Sequence, residues 1–199
     1  MITKFQYNKI SQIQLEKQLK IRLKALPTLK NKESALRLEV KRARDKAHEL
    51  DQRIIAGTQE LDQFMKLWAE FDPSLVQIRK VEILTRKIAG VQVPVLGEID
   101  YEIKDYDLFS APSWFLDGTV LVKSLATLQI ERDFFFRKMQ ILEHVRKKTT
   151  QKVNLYEKVQ IPAYEDSILK IKRFLEDEEN LSKAGQKILK NRLNQEATA

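Results

Sequence analysis

From Leu36 onward the apolar positions fall at Val40, Ala43, Ala47, Leu50, Ile54, Gly57, Leu61, Phe64 and Trp68, in steps of four and three. A stripe that repeats on average every 3.5 residues can be buried only against another helix, wound left-handed about it. The best partner lies in the same chain. Ile161, Tyr164, Ile168, Ile171 and Leu175 keep the same alternation of steps, and Phe135, Met139, Leu142, Val145 and Thr149 make a similar run upstream. The pattern predicts a mainly α chain whose N- and C-terminal helices pair as a long antiparallel two-helix coiled coil. Ala43, Ala47 and Gly57 let the helices approach closely, whereas Leu61, Phe64 and Trp68 demand more width.

Helix ends are marked by residues that satisfy open backbone groups. Asn8 is a favourable N-cap; Ser11 with Gln14 offers a capping box slightly later, and Asn8 is the preferred start. Leu15, Leu19, Leu23 and Leu26 carry the stripe to Pro27, whose ring and missing N–H predict a bend or an offset in register. Asp72-Pro73 closes the helix, because the residue before a proline is pushed out of the α region. Ser110, Pro112 and Ser113 open the second long helix, which extends to about Leu193. Pro162 should kink that helix without ending it, since the apolar spacing continues beyond it. Pairing of the two termini puts Pro27 and Pro162 near one level and predicts a bend there in both helices. Past Glu179 the stripe fails, with Leu181, Ala184, Ile188 and Leu193 out of phase with Leu175.

Between the helices the period changes. Val91, Val93, Val95 and then Ile99, Tyr101, Ile103 alternate on either side of Gly97, which reads as a β-hairpin. Pro94 cannot donate to a ladder, so its strand must be an edge. An alternative register pairs the β-branched stretch Val81 to Ile88 across Ala89-Gly90, and part of Leu75 to Ile88 could instead be helical. The chain divides into an N-terminal helix (1–72), a central segment with the hairpin (73–112) and a C-terminal helix (113–199), forming one continuous unit.

Composition agrees with long helices: 32% of the 199 residues are charged, with only five glycines and five prolines. The net charge of +8 is uneven, with 14 basic residues against 7 acidic in 1–60, 6 against 10 in 61–120, and 16 against 11 in 121–199. Paired ends would therefore share a positive shaft, with the acidic excess at the connecting end. Without cysteine there is no disulfide framework, thiolate metal site or cysteine nucleophile. No apolar stretch approaches the roughly 18 residues needed to span a bilayer, and Met1 to Leu23 lacks the apolar core of a signal peptide. A cytoplasmic setting is expected.

Candidate chemistry is sparse. His48 and His144 stand outside any metal-ligand spacing and read as helix-surface residues. Glu176, Asp177, Glu178 and Glu179 point in different directions around a helix, as a solvated face or a protein contact would. No GxxxxGK[ST] loop or GxGxxG turn occurs, so neither a cofactor nor a nucleotide is expected. Arg42-Ala43-Arg44 and Arg146-Lys147-Lys148 could meet phosphates, but Glu39, Asp45, Glu49 and Asp51 interleave with the first cluster, and no aromatic residues alternate with the basic ones. Nucleic-acid binding is therefore not expected. Phe134, Phe135 and Phe136 form the densest aromatic patch, and only part of it can enter a seam. The central segment folding back on the helices is the favoured cover.

Ile88-Ala89-Gly90-Val91-Gln92-Val93-Pro94 resembles the GVxVP segment of the D subunit of V-type and archaeal-type rotary ATPases. Leu29-Lys30-Asn31-Lys32 with Leu36 resembles that family's LLKxKRxxL stretch, and Asn8 falls where its first helix begins. Thr149 to Glu157 followed by Ile161-Pro162 is similar to TxRRVNALExxxIP, and Leu175 to Glu179 to LEExE. The paired arginines of the third motif are Gln151 and Lys152 here, and its alanine and leucine are Leu155 and Tyr156. The segments keep their order across almost the whole chain.

The resemblance implies a non-catalytic central-stalk subunit whose paired terminal helices enter a ring of catalytic A and B subunits. It also implies a small F-like stalk subunit at the side, an adaptor subunit of the membrane rotor at the connecting end, and a place peripheral to the membrane through the complex. The candidate contacts with acidic loops of the ring are Lys30, Lys32, Arg146 and Lys152; the family-like hairpin segment is Gly90, Val91, Val93 and Pro94. A structural coiled-coil adaptor or tether explains the stripes and the charge equally well, but leaves the four motifs as coincidence.

Overall fold

Asn8 caps the first helix as its residue type requires: its side-chain Oδ1 accepts the Ser11 N–H at 2.7 Å, leaving one fewer open donor at the helix start. The computed structural model describes residues 5–62, 68, 70–106 and 112–196. In it α1 spans Lys9–Asp62, a 3-10 turn Pro73–Leu75, β1 Val76–Ile88, β2 Val91–Ile103, α2 Phe115–Asn154, a π-helical turn Leu155–Gln160 and α3 Ile161–Glu196. The architecture is mainly helical, with one two-stranded antiparallel sheet between the long helices. Phe64 and Ser110 lie outside the described residues. The chain falls into two compact units, Met1–Asn31 with Thr149–Ala199, and Lys32–Lys148.

In the first unit the N-terminal part of α1 packs on α3. Leu15, Tyr164, Ile168 and Ile171 form its buried core, with Phe5, Leu19 and Leu175 packed against them. Lys30 meets Glu157 at 2.6 Å and Glu16 meets Lys172 at 3.9 Å, so one sequence ascends as the other descends. Leu23, placed in the stripe by sequence, is 47% exposed. The neighbouring Arg22 turns toward the partner helix instead. Its guanidinium lies 4.7 Å from the Tyr164 ring and 5.7 Å from the Tyr156 ring, and its Nε donates to Gln160 Oε1 at 2.6 Å.

Both prolines of this unit are accommodated without ending a helix. α1 stays α-helical through Pro27. Pro162 deprives the carbonyl four residues back of its donor, and the chain answers with a wide turn in which the Ile161 N–H reaches the Tyr156 carbonyl, five residues back. The contacts of Arg22 with Gln160 and of Lys30 with Glu157 bracket Pro27, which sets it opposite this turn.

The second unit joins the rest of α1, the hairpin and α2. Leu36, Val40, Val91, Val93 and Leu142 form one buried cluster, with Ile88, Met139 and Val145 against it. Ala43, Ala47 and Leu50 continue the buried line, and Ile54, Gly57 and Leu61 are half-buried. Gly57 has a direct packing reason, since a Cβ there would sit 2.8 Å from Leu125 Cδ2. Glu39 faces Lys138 at 3.9 Å and Asp51 faces Arg132 at 3.1 Å, again antiparallel. Trp68 stands in an aromatic cluster, 5.1 Å from Phe71 and 5.5 Å from Trp114. Gly118 leaves room for that cluster, because a Cβ would lie 3.1 Å from Trp114 and 3.2 Å from Phe71.

The hairpin corrects the favoured register. Ile88 pairs with Val91 across Ala89-Gly90, and Gly97 lies inside β2. Ala89 at φ 48° and Gly90 at φ 78° carry the two positive angles of a type I′ turn, whose twist matches that of the flanking strands. Arg79 is an extra residue in β1 and the Gly97-Glu98 step adds one to β2, so two opposed bulges restore the pairing. Gly97 suits this bulge because the Glu82 side chain crosses it, within 2.8 Å of where a Cβ would be. Alternation from the Ile88↔Val91 pair makes Thr85↔Pro94 a non-hydrogen-bonded pair, so no ladder bond is lost at Pro94.

Candidate functional site

The segment Gly90, Val91, Val93 and Pro94 is where the hairpin docks on the helices. Val93 is fully buried and Val91 nearly so, while Gln92 between them is exposed, the period of two expected for a half-buried strand. Farther along β2, the Tyr101 hydroxyl lies 2.7 Å from Thr127 Oγ1, and the Lys123 ammonium sits 5.1 Å above the Tyr101 ring. Phe134 and Phe135 face the hairpin across a cleft that also includes Ile88, Val95 and Leu96; Phe136 is 45% exposed. The hairpin thus covers part of the aromatic patch.

The four candidate cations occupy different environments. Lys30 is held by Glu157 within the first unit, with both side chains nearly half exposed. Lys152 is exposed on α2, in that same unit. Lys32 belongs to the second unit, half-buried beside the hairpin turn, its Nζ 3.7 Å from where a Gly90 Cβ would project. Arg146 is bound to Glu143 through Nε at 2.7 Å and Nη2 at 2.6 Å, with Glu33 at 4.0 Å. These hydrogen bonds hold the Glu143 carboxyl below its ordinary range and raise Arg146, which keeps both ionised.

A second set of cations is missed by sequence reasoning. Arg37, Lys41 and Arg44 share a face of α1 and open with Val40 onto a groove whose other wall is Glu143 and Arg146. Their spacing of four and three is a usable signal, hidden when Arg42 and Arg44 are taken as one cluster. Among the described residues no group of histidines and carboxylates could hold a metal ion, and no helix is long and apolar enough to cross a membrane.

The family profile of the ATP synthase D subunit matches residues 11–191. The chain belongs to this family. A V-type ATP synthase D subunit from Borreliella burgdorferi is 30% identical over 192 residues, covering 93% of this chain and 94% of its own length. The Chlamydia pneumoniae protein of the same name is 30% identical over 169 residues, covering 82% and 81%. That of Chlamydia caviae is 30% identical over 176 residues, covering 85% and 84%. The family match spans both units, so the hairpin and the paired helices belong to one plan.

Proposed function

We propose that this chain is the non-catalytic shaft of a V/A-type rotary ATPase, carrying torque between a catalytic A/B ring and a membrane rotor. The observation that carries this reading is the far end of α3, where Leu181, Ile188, Leu189 and Leu193 are 74%, 55%, 61% and 63% exposed. Four large apolar side chains on one helix, each left more than half exposed by the described residues, call for cover from another protein. A ring of subunits closing round the end of the shaft supplies it. The paired helices below that end resist bending through packed side chains, which torque requires.

Coupling in this scheme uses ATP hydrolysis or synthesis in the ring, and the chain makes and breaks no bonds itself. A small F-like protein binds beside the shaft, an adaptor joins its connecting end to the membrane rotor, and the whole sits peripheral to the membrane on the cytoplasmic side. Lys30, Lys32, Arg146 and Lys152 serve as shifting contacts with the ring, each worth about 0–1 kcal/mol, weak enough for a rotating surface to exchange partners. Reconstitution with an A/B ring tests the reading. The full chain should couple ATP hydrolysis to rotation, and a chain lacking residues 181–199 should lose that coupling while losing no more helix than the deleted turns of α3 themselves. Full coupling by the shortened chain would overturn the role given to the α3 end.

A further inference from the structure

Arg37, Lys41 and Arg44 stand at i, i+4 and i+7 on α1 and, with Val40, Glu143 and Arg146, line an open groove of roughly 270 Å3 in the second unit. Two of the cations already have carboxylate partners: Arg37 meets Glu33 at 2.7 Å, and Arg146 is held by Glu143. Arg37 remains 68% exposed in spite of its partner. Lys41 and Arg44 are exposed, and among the described residues no carboxylate lies within the 4.0 Å of an ion pair from either. One wall of the groove is therefore a row of three accessible cations, facing a single inward carboxylate.

We propose that this groove binds an extended acidic segment of a partner protein, its carboxylates received by Arg37, Lys41 and Arg44. The dimensions fit. Helical rise separates Arg37 from Lys41 by about 6 Å along α1, and same-side residues of an extended peptide repeat every ~7 Å. Val40 lines the groove as a buried side chain of the core, so recognition there rests on the charged groups around it. The lining contains no aromatic ring on which a base could stack. Glu143, kept ionised by Arg146, repels an unbroken run of phosphates but can sit between discrete carboxylates. The groove takes from the shaft reading only that the segment belongs to another protein of the assembly.

The test uses the full chain alone and a short fluorescein-labelled peptide of alternating glutamate and leucine, followed by fluorescence anisotropy. The K41E/R44E variant should bind it at least about tenfold more weakly, a loss of ~1.4 kcal/mol. K17E/K24E, with the same change in net charge on exposed lysines of the first unit, should bind it as the parent chain does. Circular dichroism should show equal helical content in all three. Equal weakening in both variants, no binding by the parent chain, or tighter binding of tripolyphosphate than of the peptide would each overturn the proposal. Because the assay contains no ATPase ring, its failure leaves the shaft reading standing.

Discussion

The two units finish the same heptad pattern in different ways. In the second, the stripe is closed by a third element, since Val91 and Val93 of β2 press onto Leu36, Val40 and Leu142. In the first, two helices meet with no strand against them, only Phe5 of the preceding segment adding to their core, and where Leu23 turns outward an arginine between two tyrosines takes over the contact. A core closed from three sides has little freedom to relax into a void. A two-helix seam keeps one side open, and its polar contacts do part of what apolar packing does elsewhere.

The largest test of this difference is a pair of cavities made at two fully buried positions. Leu142→Ala and Ile171→Ala both remove a fully covered side chain. Each should cost about 2–5 kcal/mol in urea unfolding, with Leu142→Ala the larger because its surroundings cannot collapse. An equal or reversed order would erase the contrast. Next comes the turn that delivers β2 to the core: Gly90→Val forces a β-branched residue to φ 78° and should cost about 1–2 kcal/mol, read as a lower thermal midpoint. In the first unit, Arg22→Leu removes the Gln160 bond and the ring contacts. It should cost about 1 kcal/mol and speed amide exchange within Leu155–Gln160 more than in α2.

Acid separates the units in a smaller way. Arg146 lowers the Glu143 carboxyl in the folded chain, so the stabilisation from this pair is complete above the ordinary glutamate range, about pH 4.3, and is lost as pH falls through the depressed folded value. Arg146→Met should flatten that part of the acid limb in a series of thermal melts at stepped pH; an unchanged limb would show that the pair contributes nothing. Lys30→Ala should have the smallest effect, about 0–1 kcal/mol, because its partner Glu157 is as open to water as Lys30 itself.

What can be read from the sequence follows from how much periodic repetition supports it. Leu36, Val40, Ala43, Ala47 and Leu50 are all buried, because many concordant positions leave only one face to hide. Register in the hairpin has no such redundancy. Gly97 reads as a turn because a glycine in a strand and a glycine in a turn are the same letter, and Ala89-Gly90 offers only one residue that accepts positive φ without strain. The outward rotation of Leu23 depends on Arg22 finding Tyr156, Tyr164 and Gln160 on a distant segment, information no local window holds. Glu143, three residues before Arg146, is a local sign in the sequence that this cation also has a partner within its own helix.

The opposed bulges constrain how the hairpin can change in length. Arg79 in one strand is balanced by the added residue at Gly97-Glu98 in the other. Arg79 itself is unpaired, so deleting it would join Ile78 to Lys80 and leave Val76, Gln77 and Ile78 opposite Ile103, Glu102 and Tyr101, whereas deleting a paired residue from a regular stretch of one strand would slide the pairs beyond it by one place and turn those side chains to the other face. The two bulges are thus the places where either arm can lose a residue by itself and still close the sheet at its base, while a length change at a paired position would need a matching change in the other strand.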